Sequence, residues 1–209
     1  MAGEGRSMAA SIHSSHLSSV TRVCLTVWPP ANTILVQAAS SLTNEVLRRT
    51  HVLENGNSLD DLQVSTSLIV NKQGEAKRCL ESLFEVYLDL QASLQSIISL
   101  VDSSKVREEE KEGEEGHINK ASIRARIIDL SGELISMYAA ELSLKQAILI
   151  GLSPRDCNPG NKIGLTTNQE SDKEYLLTCV SAIAAEVYVS KDRVESIIEG
   201  LNLICETYL

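Results

Sequence analysis

Leu80, Leu83, Tyr87, Leu90, Leu94, Ile97 and Val101 follow one another by steps of three and four without a break. That is a 3.5-residue period, the seam of a helix lying lengthwise against a partner helix; a half-buried strand would alternate every second residue. Phe84, Leu88 and Ile98 widen the stripe, as inside a bundle rather than in an isolated two-stranded coil. A second seam runs through Ile123, Ile127, Leu130, Leu134, Met137, Leu144 and Ile148, with Glu141 occupying one of its positions. Between the seams lies Arg107–Gly116, a charge run that repels itself and buries nothing. Two long helices of similar length joined by such a stretch predict an all-α chain built on a long antiparallel helical hairpin or bundle. Residues 103–118 are expected to be a solvated linker, with an acidic docking tract as the functional alternative.

The remaining segments are shorter. Pro29 and Pro30 read as a boundary, with a helix starting after them at Asn32 as N-cap and carrying Leu35, Ala39, Leu42, Val46 and Leu53. Asn55-Gly56-Asn57 supplies its stop. Residues 56–71 are apolar but Ser-rich, and fit either a loop or a short helix. Gly151 and Ser153-Pro154 end the second long helix, and 153–171 read as a polar loop. A short C-terminal helical pair follows: Leu177, Val180, Ile183, Ala184 and Val187 mark one helix, Val194, Ile197, Ile198, Leu201 and Ile204 the other. Ser190 is the N-cap of the second. The body is thus 31–209, preceded by residues 1–30 as a disordered Ser-rich tail; a cleaved organelle presequence is the alternative for the first 27 or so.

Composition narrows the function classes. Apolar residues make up 43 % of the chain and aromatics 3 %, so aliphatic side chains must fill the core. The net charge of −9 leaves no Lys/Arg surplus for neutralising phosphates, which argues against direct nucleic-acid binding. No apolar run of about 18 residues reads as a bilayer span. Five cysteines, an odd number in a chain of this length, fit reduced thiols in cytosol or nucleus.

No motif with chemistry survives comparison with its ordinary reading. There is no C-x-x-C, H-x-x-x-H or H-E-x-x-H, and His13 and His16 lie in the expected tail, so neither a metal nor a cofactor is expected. Cys79 and Cys179 sit beside apolar helical positions, where a small buried hydrophobe is the default. Gly160-Asn-Lys-Ile-Gly164 lacks both the spacing of a phosphate loop and a preceding strand. Ser153-Pro154-Arg155 is a minimal proline-directed phosphorylation site, where phosphate would face the negative pole of a helix. Glu141 and Lys145 stand i, i+4 in the favourable order. Either they pair on the surface, or the pair is partly buried, fixing register or meeting a partner's charge.

Leu134-Ile-Ser-Met-Tyr-Ala-Ala-Glu-Leu-Ser-Leu-Lys145 resembles the "L-x-x-M-Y-x-x-E-L-x-L-K" helix of the cyclin-dependent kinase 2-interacting protein family. Val187-Tyr188-Val189 is similar to that family's "P-Y-V" turn before its last helix, with Val187 where the proline would stand. Trp28 and the seam at 80–101 follow in matching order. The resemblance implies a nuclear and cytoplasmic adaptor. Its partners would be a cyclin-dependent kinase, replication and checkpoint factors, and AAA+ ATPase subunits acting in ribosome maturation. None of these roles requires catalysis by this chain.

The combined expectation is a non-catalytic helical adaptor that docks proteins through an exposed face of the second long helix, at Tyr138, Glu141, Leu144 and Lys145, or through the C-terminal pair. The rival is a subunit of an obligate coiled-coil assembly of the centrosome, kinetochore or tethering kind, which the seam at 80–101 favours. An enzyme of unrecognised type is a third reading, and would need a concave pocket with converging polar groups.

Overall fold

The computed structural model describes residues 15–54, 58–103, 120–152 and 169–208. All are helix apart from short turns, so the chain is all-α, as its seams predict. Helix α1 covers 15–22 and runs through a π-helical stretch, Val23–Val27, into α2, Trp28–Glu54. Then come α3, Leu59–Ser103; α4, Lys120–Leu152; α5, Gln169–Ala184; and α6, Lys191–Tyr208. Most of the expected acidic linker and most of the polar loop lie outside the described residues, as do His13, His117, Cys157 and the Gly160–Gly164 segment.

Two expectations are corrected. Residues 15–30 are not tail: they are helical, and Leu17, Val20, Val23, Cys24 and Trp28 are buried. Pro29 and Pro30 do not stop the chain, although helix precedes them without a break. The turn before them is widened instead, with the Trp28 N–H bonded to the Val23 carbonyl five residues back. Asn32 consequently lies inside the helix, buried, rather than at a cap. The second correction concerns 59–71, which are the first turns of α3. Ser58 caps it: its Oγ accepts from the Asp61 N–H (3.3 Å) and donates to the Asp61 carboxylate (2.9 Å).

The chain forms two compact units. Unit 1 comprises Met1–Trp28, Glu85–Ala139 and Tyr188–Leu209. Its core takes Leu90, Leu94, Ile97 and Val101 from the first seam, Ile123, Ile127, Leu130 and Leu134 from the second, and Val194, Ile197, Ile198 and Leu201 from α6. Asp102, near the end of α3, pairs with Arg124 in the first turns of α4 (2.6 Å). Arg193 makes a two-pronged bond to Glu133, 2.6 Å on each arm. Ser190 caps α6 as expected, through the Arg193 N–H (3.5 Å).

Unit 2 comprises Pro29–Phe84 and Ala140–Val187. Leu35, Ala39, Leu42 and Val46 of α2, Ile69, Ala76 and Leu83 of α3, Leu142, Leu149 and Leu152 of α4, and Leu176 and Ile183 of α5 fill its core. Phe84 and Leu88 do not widen a buried stripe: they are 48 % and 40 % exposed. Helix α4 is long and apolar enough to cross a membrane by length and composition. Of its seam, Ile123, Ile127, Leu130, Leu134 and Glu141 are buried and Met137, Leu144 and Ile148 half-buried.

Candidate functional site

In unit 2, Glu141 and Lys145 are one helical turn apart, so α4 directs both side chains to the same side. They form a 2.6 Å ion pair in which neither side chain has any solvent exposure. The Lys145 Nζ also donates to the Ile183 carbonyl at 2.6 Å. Ile183 is the penultimate residue of α5, so continuation of the helix would have given its carbonyl an amide partner. The chain instead turns at 185–188, where Glu186 takes a positive φ of 47°. An ammonium group therefore caps the negative end of α5 from inside the core.

In unit 1, Tyr138 is buried with its ring edge-on to Trp28, 4.5 Å between centroids and 90° between planes. Aromatic quadrupoles favour this geometry over face-to-face stacking. Cys24 belongs to the same core; burial pushes its thiol up to about 11, and the Tyr138 hydroxyl works weakly the other way. Burial, with help from the Glu206 charge, likewise raises Cys205 to about 11. Both thiols are neutral and unreactive at physiological pH.

The partner-binding face expected on α4 is corrected by this burial. Tyr138, Glu141 and Lys145 are enclosed, and Leu144 is half-buried. The Glu141–Lys145 pair follows the second of its two sequence readings: opposite charges with a main-chain partner can occupy a seam that an isolated carboxylate could not. Ser153 lies outside the described residues.

Unit 2 exposes Leu177 and Val187, which the sequence marked as apolar helix positions, and further residues it did not single out. Ile150, in the last turn of α4, is 60 % exposed and Tyr175, in α5, 51 %. The Tyr175 hydroxyl lies over Gly151, 3.0 Å from where a Cβ there would stand, so the tyrosine of α5 reaches the last turn of α4, the turn that carries Ile150. The run Ile148-Leu149-Ile150 gives no sign of which residue faces out, so only the polar i−4 and i−7 neighbours Gln146 and Ser143 could have pointed to Ile150. Among the described residues, no three His, Cys, Asp or Glu side chains are grouped to hold a metal ion.

Comparison with protein-family models, with curated proteins and with solved structures gives no match to this chain.

Proposed function

We propose that the chain is a non-catalytic helical adaptor that binds other proteins, and that Ile150 and Tyr175 form part of its docking surface. The observation that carries this reading is the exposure of a large aliphatic and a tyrosine side chain, each more than half exposed, where the last turn of α4 lies beside α5. Such exposed side chains offer apolar and aromatic area, the composition favoured at the centres of protein interfaces. The charge pair of α4 supports the reading differently: shut off from solvent, it serves packing rather than a ligand. Partners drawn from cell-cycle and replication proteins and an AAA+ ATPase complex, in nucleus and cytoplasm, follow from the family resemblance and belong to the proposal.

The test is affinity capture of the tagged chain from cells, with wild type compared against Ile150→Asp and Tyr175→Ala. Both variants should keep wild-type helical circular dichroism and lose the specifically captured proteins at least tenfold. Undiminished capture by both variants would move docking elsewhere. Recovery of a cytoskeletal or tethering assembly would replace the adaptor reading by the obligate coiled-coil subunit.

A further inference from the structure

Helix α5 is held in unit 2 by few buried side chains. Among its described residues only Leu176, Cys179 and Ile183 are buried, a single file at spacings of three and four. Both neighbouring positions on each side of Leu176 and Cys179 are exposed or half-buried, so the helix lies on the unit by a narrow edge. At its C-terminal end it is also anchored by the Lys145 ammonium on the Ile183 carbonyl. That anchor carries a cost: keeping Lys145 and Glu141 dry forfeits the hydration of two charges, and lifting α5 off returns water to Lys145 Nζ. A narrow apolar edge and a latch whose release is offset by rehydration are the conditions for opening below the energy of global unfolding.

We infer that α5 is a latched helix that opens separately from the rest of unit 2, with the Lys145 bond to the Ile183 carbonyl as its latch. Opening swings about the turn at 185–188, where the positive φ of Glu186 already breaks the helical path. It exposes Leu176, Cys179 and Ile183 together. It also carries Tyr175 away from the last turn of α4, so the latch would govern the docking surface; that consequence rests on the docking reading above, whereas the opening does not.

Cys179 reports the motion without a partner. It is 7 % exposed in the closed form, and Cys24, at 3 %, reports unfolding elsewhere. The full chain is treated with iodoacetamide, and each cysteine's modification is followed by peptide mass spectrometry and normalised to its rate in the fully unfolded chain. In the wild type Cys179 should react at least tenfold faster than Cys24, at a rate nearly insensitive to urea below the unfolding transition, because a local opening exposes little surface. Lys145→Met should raise the Cys179 rate further with its urea dependence still shallow, whereas any rise at Cys24 should follow the variant's lowered urea midpoint and keep the steep urea dependence of global unfolding. Equal normalised rates with the same urea dependence in the wild type would overturn the inference. So would a Lys145→Met variant in which Cys179 and Cys24 react at equal normalised rates with one urea dependence. Partner capture plays no part in either outcome, so the latch and the docking surface fail separately.

Discussion

A lysine and a glutamate with no solvent exposure are unusual occupants of an aliphatic core, and what each is worth depends on the other. Removing Lys145 leaves a buried carboxylate with its ammonium partner gone, a change that costs about 3–5 kcal/mol in comparable cores. Replacing both, as Glu141→Leu with Lys145→Met, removes the dehydrated charges but leaves the Ile183 carbonyl without its donor. The double variant should therefore recover most, though not all, of the stability lost by Lys145→Met alone, read as urea midpoints in a double-mutant cycle; additive losses would contradict the coupling. The exposed Arg193–Glu133 pair makes a prediction about acid. The Arg193 hydrogen bond holds the Glu133 carboxyl below its ordinary 4.5. Its contribution is thus complete above 4.5 and is lost as pH falls through the lower folded value. Between about pH 6 and pH 3, Arg193→Ala should show a shallower fall in urea midpoint than wild type. Parallel curves would mean that solvent screening leaves the pair without effect.

At the scale of elements, the π-helical turn at Val23–Val27 acts as one extra residue in an otherwise continuous helix. Deleting the exposed Thr26 should rotate 15–22 by about 100° and carry Leu17 and Val20 out of the core. The expected loss is about 1.5–3 kcal/mol for each side chain brought into water, measured by urea denaturation. Unchanged stability would show that the turn does not set register. Nothing in the sequence announces this turn, because Pro29-Pro30 is a stop signal unless the preceding backbone widens to receive it. The two seams were legible because aliphatic residues recur at a fixed period: Leu83, Leu90, Leu94, Ile97 and Val101 are all buried. The start of α3 was not, since its serines fit loop and helix alike, and Ser58 becomes a cap only once Asp61 is seen to face it. At the α4 site the pairing of Glu141 with Lys145 was legible but not its enclosure, which depends on α5 arriving from 38 residues further along the chain.

For the molecule as a whole, the division into two units falls inside helices: α3 passes from one unit to the other at Phe84 and Glu85, and α4 at Ala139 and Ala140. A helix cannot melt halfway without forfeiting hydrogen bonds at a new end. The two units should therefore unfold together. Trp28 is the only tryptophan of the chain and belongs to unit 1, so its fluorescence reports that unit while circular dichroism at 222 nm reports all helices. Coincident urea transitions are expected. A fluorescence midpoint clearly displaced from the dichroism midpoint would show two independent folding units.

The enclosure of Lys145 also decides when that residue can be chemically marked. An amine bonded on both sides inside the core has no approach for an acyl donor, so acetylation would have to act on a chain still being made or briefly opened. Once attached, the acetyl group would abolish the positive charge and oppose reclosure around Glu141. A mark at that position would record a past exposure, and would preserve the open form that allowed it.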